Sequence, residues 1–535
     1  MSINLRDALL KSLATLPGVC EFHLHALVSS PRKHSALFPF SKPRCRTYLQ
    51  DILILLSEQS TPDSPRIFVT AIEACVYNVP STNCAILYIS KVDSTGQCTS
   101  PSPTAALVRA LLLYYADATT RPIAADHLWI QLFARAQSQY LFPNSADFPG
   151  KRPLGDVQLC GWWKRVYTDV AVELESRGEK SAAKIRLFYV LPGYSQIEAE
   201  YSLKPVNAAR RVTQNYQWAY GHPYSQTEIP LPCPKSDADT DAFRNNLGLF
   251  IPSFDDDPKS RFMDEIAYTT GAEGIKSPPR KRARTLSSAS HAEDRSSNVA
   301  DGIEGKSDIQ TERDDRPLGE LGKVSVDEFW ERMSFRQECV AGAVTGFFAL
   351  GASSSSRDES TERSTVSPLA PQPGQVSSKI NKRIITSLMT GVEFSTRERA
   401  IRATEVIEST IRGLCEGIAA VPAPIIHAPR PKLATSSSGG HPTIVEEEAT
   451  PSLLAPPSTP PPRIADGGKR IVTDISPNPF PEPETSLETY QSFIYGSVCI
   501  SNPIPQNKDA LNENKDSSIP PVTILTVRRK KKRQE

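Results

Sequence analysis

The sequence predicts an α/β fold, and two patterns carry that prediction. First, four extended segments rich in Val, Ile and Tyr follow one another at residues 21–28, 48–56, 67–77 and 84–90, separated by Pro, Ser and Asn. Second, strand and helix patterns alternate from there on. The apolar run CAILYIS (84–90) passes through a Ser-Thr-Gly turn into the helix pattern ALVRALLLYYA, and HLWIQLFAR (127–135) precedes a long helix at 157–174. The first three strands read as an antiparallel meander. The fourth is apolar almost throughout, as a central strand buried on both faces should be.

Each element has its own signal. Leu5, Leu9 and Leu13 recur at helical spacing, which predicts a short amphipathic helix over 4–15. The strand at 84–90 places Asp93 at its end, where a site would lie, and strand, turn and helix N-terminus together form a cradle suited to a pyrophosphate. The segment at 157–174 begins with Trp162 and Trp163. Consecutive helix positions point about 100° apart, so one ring can pack inward while the other lines a cleft; two packing residues are the plainer alternative. A short helix is expected at 192–203, and an aromatic turn at 218–224 that either covers a pocket or is a packed loop; His222 there reads as a satisfied loop histidine rather than a base. The apolar stretch 326–350 reads as one helix carrying Phe329, Met333 and Val340. Two more helices are expected at 380–390 and 396–419, the second opened by a Ser395/Glu398 capping box.

Composition sets the limits. The chain has 535 residues, 39% of them hydrophobic, with a net charge of +1 and ten cysteines. The cysteines form no CxxC pair, and no Cys/His spacing fits zinc, so they read as reduced, intracellular thiols. His23 and His25 share a strand face, but no third ligand accompanies them. No cleavable signal and no apolar run near the ~20 residues of a membrane span is seen. Residues 268–318 have the composition of a disordered insertion, with the import-like run PPRKRAR at 278–284. A Ser-rich linker is expected at 352–378. Nineteen of the 46 prolines lie beyond residue 421, so 422–535 reads as an unfolded tail, ending in the basic patch 528–533. Both basic runs lack interleaved aromatics, so nucleic-acid contact through them would be unspecific and salt-sensitive.

The candidate chemistry centres on IPSFDDDPKSRF (251–262). Three consecutive carboxylates, Asp255, Asp256 and Asp257, meet Lys259 and Arg261 within seven residues. Crowded like charges raise a carboxylate's pKa and nearby cations lower it, so such a cluster can hold one carboxylate ready to accept a proton. A solvated turn with surface ion pairs is the alternative for the motif alone.

SKVDSTG (90–96), SQYLFP (138–143), the double tryptophan, IPSFDDDPKSRF and EFWERMSFRQE (328–338) stand in one order and spacing. Together they resemble the fungal histone acetyltransferases of the regulator of Ty transposition type. That resemblance implies a mixed seven-stranded sheet wrapped by helices, like the CBP-type acetyltransferase domain, spanning residues 1–421. It implies acetyl-CoA as co-substrate, no metal, and a nuclear enzyme. The enzyme would acetylate histone H3, at lysine fifty-six and at tail lysines, together with histone chaperones, in replication-coupled nucleosome assembly and the DNA damage response. It also implies acetyl-CoA contacts from Val92, Asp93, Ser94, Phe133, Arg152, Pro153, Leu154 and Trp162. Trp163, Tyr140, Asp93, Asp256 and Asp257 would border the substrate-lysine tunnel, with Asp257 as acid/base and Lys259 as an internally acetylated lysine turned toward Asp93 and Asp257. Arg152 stands where some relatives have histidine, and Ala105 where a basic residue is expected. The competing reading from another class is a non-catalytic chromatin adaptor that keeps the fold and binds histone–chaperone complexes. The intact Asp93, Trp163, Asp257 and Lys259 favour the enzyme.

Overall fold

A computed structural model of the chain describes residues 3–41, 45–99, 101–178, 181–204, 216–233, 247, 251–268, 320–336, 343–354, 367–417, 480–483 and 485–503. These belong, except at 480–481, to one compact unit formed by residues 1–417 and 482–535.

The unit is built on one mixed sheet. Its strands are β1 (Gly18–Val28), β2 (Arg32–His34), β3 (Thr47–Gln59), β4 (Ile67–Val79), β5 (Cys84–Ser94), β6 (His127–Ala134), β7 (Lys184–Val190), β8 (Trp218–Tyr220), β9 (Gly346–Ser353) and β10 (Tyr495–Asn502), in the order β10-β1-β3-β4-β5-β6-β9-β7-β8, with β2 beside β3. The meander β1-β3-β4-β5 is antiparallel throughout, β5 runs parallel to β6, and β9 is antiparallel to both its neighbours. The helices are α1 (Leu5–Leu13), α2 (Thr104–Ala116), α3 (Asp156–Arg177), α4 (Gln196–Ser202), α5 (Pro258–Tyr268), α6 (Val326–Met333), α7 (Ser378–Thr390) and α8 (Arg397–Cys415).

Strand alternation sorts the core onto two faces. Residues of one parity, such as Leu24, Ile54, Leu87, Ile130 and Leu350, pack under α1, α2 and α3. Residues of the other parity meet two groups of helices. Leu27, Leu53 and Leu55 pack on α7 and α8. Val190 and Phe347 pack on α5 and α6.

Four expectations change here. Residues 326–350 are not one helix: α6 ends at Met333, and β9 starts at Gly346 and lies between β6 and β7. A short apolar run buried on both faces has no periodicity with which to tell strand from helix. The implied seven strands become ten. The additions are the short β2 and β8, and β10 from the stretch read as an unfolded tail. Tyr490 and Ile494 are buried against β1 and α8 residues, and Arg6 of α1 donates to the Tyr495 carbonyl at 2.9 Å. The second half of the expected linker is also packed: Val376 bridges to Ser29, bonding Val28 O and Ser30 N at 2.9 and 2.8 Å. Finally, α8 is capped one residue later than expected, by Thr396, whose side chain accepts from Arg399 N. Apart from Tyr268, the insertion read at 268–318 lies outside the described residues, as does the basic patch at 528–533.

Candidate active site

The acidic stretch folds locally by capping. Asp257 stands just before Pro258, the first residue of α5, where a missing N–H costs nothing. Its Oδ1 accepts from Lys259 N at 3.1 Å, and its carbonyl accepts from Ser260 N at 3.1 Å. The preceding residue, Asp256, takes a left-handed φ of 61°, which turns the chain into the helix. The three carboxylates are thereby separated. Asp257 is fully buried, whereas the Asp256 side chain is 84% exposed and only approaches Lys91 Nζ at 3.9 Å. Asp256 therefore does not border a buried tunnel.

Lys259 points inward with Asp257. Its Nζ donates to Asp257 Oδ2, and both side chains are removed from solvent. The ammonium lies 5.4 Å from the Phe254 ring centre and 5.0 Å from that of Phe347. Phe254 stacks on Tyr88 at 4.1 Å, while Phe347 meets Phe133 at 4.6 Å and Trp330 at 4.8 Å. Lys259 thus sits at the floor of an aromatic cleft whose other walls include Val190, His222, Tyr224 and Trp330. Burial first, and the Asp257 charge second, hold the Tyr88 and Tyr224 phenols well above their ordinary range. His222 is satisfied, as the sequence suggested. It accepts from Tyr224 N at 3.2 Å and faces Asp327 Oδ1 at 3.2 Å, and burial keeps it below the usual histidine range.

Asp93 is used differently from the expectation. A bulge pairs Glu73 with Lys91 but Ala74 with Ile89, adding one residue to β5. The extra residue re-aims the strand end, leaving Val92 against the α1–α3 core and turning Asp93 to the other face. There, Oδ2 accepts from the backbone N–H of Tyr140, Leu141 and Phe142 at 2.7, 2.8 and 3.1 Å. Oδ1 accepts from Ser94 N and from Lys151 Nζ, each at 2.8 Å. Both oxygens are committed, and Lys259 pairs with Asp257, not Asp93. Asp93 is a positioning residue that ties the strand end to the SQYLFP loop. Tyr140 is half-buried, its hydroxyl bonded to the Arg135 carbonyl and its phenol pushed up to about 12 by burial.

Of the residues expected on acetyl-CoA, Ser94 and the 152–154 loop adjoin, whereas Phe133 packs on Phe347 in the aromatic cleft. Gly96 has φ +75°, and a Cβ there would stand 2.4 Å from the Lys151 Cα, so the 94–97 turn packs directly on the start of the 151–155 loop. Ser94 is partly exposed, and Arg152, Pro153 and Leu154 are exposed. Trp162, half-buried two turns into α3, meets Trp163 edge-on at 4.7 Å, and Trp163 is buried in the core. Turn and loop thus adjoin just before the start of α3, with Trp162 farther along that helix. Lys151, buried against Asp93, is not free to hold a phosphate.

The structure does not bring every expected residue together. Trp163 packs on Tyr167 and the α1–α3 face, whereas Asp257 and Lys259 lie on the opposite face of the sheet. The two sides approach at the start of β9, where Gly346 is tight against Cys160 of α3 and Phe347 faces Lys259. Of the lining residues, Tyr224 belongs to the aromatic turn 218–224 and Trp330 to the motif EFWERMSFRQE, whereas Val190 and Phe347 carried no signal of a site in the sequence. No group of three or more metal-type ligands is found among the described residues.

Comparisons with known proteins point to one family. The histone acetyltransferase KAT11-type domain matches residues 118–410. The curated histone acetyltransferase rtt109 of Aspergillus flavus is 28% identical over 375 residues, covering 65% of this chain and 56% of that protein. Histone acetyltransferase rtt109 of Schizosaccharomyces pombe is 25% identical over 336 residues, covering 61% and 66%. The chain thus spans roughly half to two-thirds of the length of these curated relatives. The crystal structure of Rtt109 from Aspergillus fumigatus superposes with a TM-score of 0.53 at 25% identity, covering 76% of this chain and 96% of that one.

Proposed function

This chain belongs to the KAT11-type histone acetyltransferase family, and from that premise we propose that it transfers the acetyl group of acetyl-CoA to a lysine amine of histone H3. The observation that carries the reading is the fully buried Asp257 paired with Lys259, which lines an aromatic cleft. A lysine amine must be neutral to attack a thioester, yet its free pKa is about 10.4. An apolar, aromatic cleft favours the neutral form, and a carboxylate beside it can take the proton. The amine forms a C–N bond to the thioester carbonyl carbon, the C–S bond breaks and coenzyme A leaves as a thiolate; the proton released from nitrogen goes to Asp257 and from there to the thiolate, which restores the carboxylate. Burial holds Cys160, near the cleft end of β9, up to about 12 as a thiol, which supports direct transfer rather than an acyl-cysteine route.

Lys259 regulates that carboxylate. While charged, it occupies Asp257; once acetylated, it keeps an N–H for Asp257 but no longer neutralises it. The enzyme is therefore expected to acetylate Lys259 itself. Lysine fifty-six of H3 and H3 tail lysines are the substrates, histone chaperones present them, and the nucleus is the site of action. The basic run at 528–533 serves the chaperone or its histone cargo. The test is acetyl transfer from labelled acetyl-CoA to H3–H4, with and without a histone chaperone, followed by mapping of the modified lysines. Label on a histone H3 lysine supports the reading; no label on H3 in either arm favours the non-catalytic adaptor.

A further inference from the structure

Trp330 has an unused hydrogen-bond donor. Its side chain is 9% exposed, and its Nε1 is buried without a partner. Buried polar groups are nearly always bonded, so an orphaned N–H in a cleft calls for an acceptor that arrives later. The ring lines the same cleft as Lys259, and both lean on Phe347: the indole edge-on at 4.8 Å, the ammonium at 5.0 Å. The unmodified lysine cannot answer this donor, because an ammonium donates and accepts nothing. The Asp257 carboxylate, which takes the Lys259 ammonium and Lys259 N, does not bond it either, as Nε1 has no partner.

We propose that the Trp330 indole N–H is the receptor for the acetyl carbonyl carried by Lys259. Acetylation replaces the ammonium with one donor and one acceptor. The new amide N–H keeps the bond to Asp257, and the new carbonyl completes Trp330. Trp330 is then a positioning residue: it fixes the acetyl-lysine side chain away from the path of the incoming lysine. This rests on the reading that Lys259 is acetylated, and it explains why a tryptophan, not a phenylalanine, stands at the cleft wall.

The test separates the two. Full-length protein is made with acetyl-lysine installed at position 259 by stop-codon suppression, and with unmodified Lys259, each labelled with nitrogen-15 in its five tryptophan indoles. The Trp330 signal is assigned by its loss in Trp330→Phe, or in Trp330→Tyr should the first not fold. The expected result is a downfield move of the Trp330 indole proton in the acetylated protein and a slowing of its exchange with solvent by about tenfold or more, matching a new hydrogen bond. An unmoved signal in the acetylated protein overturns the proposal. So does the same move in Lys259→Arg protein given acetyl-CoA and a histone H3 peptide, which would assign the acceptor to the cofactor or substrate. Because acetyl-lysine is installed during synthesis, neither result depends on self-acetylation, which peptide mass spectrometry after incubation with acetyl-CoA tests separately.

Discussion

Two aspartates that look alike in sequence do different work. Asp257 is committed to a cap and to one lysine that can lose its charge. Asp93 is committed to three backbone N–H groups and to Lys151, which sits at 2.8 Å with 5% side-chain exposure. Breaking a buried pair by removing one partner costs about 3–5 kcal/mol, because a charge is left uncompensated. Asp93→Ala is therefore expected to lower unfolding free energy on that scale and to loosen the 140–142 loop, seen as a lower urea midpoint and faster amide exchange at Tyr140–Phe142. Unchanged stability with a loss of turnover alone would return Asp93 to the chemistry. The acidic motif was legible as a site from its charges, but which carboxylate it buries was not. That choice is made by the left-handed turn at Asp256 and the cap at Pro258, which depend on backbone geometry. The aromatic walls were hidden for another reason: Val190, Tyr224, Trp330 and Phe347 come from separate elements, and nothing local links them.

At the scale of the element, the C-terminal strand gives the clearest consequences. Tyr490 and Tyr495 stack at 5.6 Å over the two histidines of β1. His23 accepts from the Tyr495 hydroxyl at 2.9 Å and donates to Gln59 Oε1 at 3.0 Å, and His25 Nε2 meets the Tyr490 hydroxyl at 3.1 Å. The pair that looked like an incomplete metal site is a docking post for β10. Burial, then Arg66 and His23, depress His25 to about 3. A depressed histidine is neutral in the fold and takes up a proton on unfolding below about 6.5, so stability is full above that pH and falls as pH drops toward 3. From pH 7 to pH 5, His25 should cost roughly 2 kcal/mol. Urea unfolding should show that loss, and His25→Leu should flatten the slope; an unaltered slope would remove His25 from the acid response. A chain ending at residue 484 loses β10 and leaves the β1 edge bare. It is expected to melt several degrees lower and to self-associate at an unpaired edge, measured by light scattering. A monomer of full stability would show β10 to be incidental.

For the whole molecule, the alternation of strands and helices was enough to give the α/β class, and motif order was enough to give the family. The hydrophobic pattern failed where tertiary context decides. GFFALGAS carries no helical or strand period, and KIRLFYV at β7 was passed over between a helix and a proline; both become central strands because neighbours on each side complete their hydrogen bonds. Those two strands supply Phe347 and Val190 to the cleft, so misjudging them also concealed the site.

The central claim is that Asp257 accepts the proton of the attacking lysine. The most direct measurement is the rate of acetyl transfer to H3–H4 by wild type and Asp257→Asn across pH 6–9, with acetyl-CoA affinity determined alongside. Loss of a positioned base is worth about 10²–10⁴-fold. The expected result is a fall of that size at neutral pH, partly recovered as rising pH deprotonates the substrate lysine, with acetyl-CoA affinity near that of wild type. Near-normal turnover of Asp257→Asn over the whole range would contradict the claim.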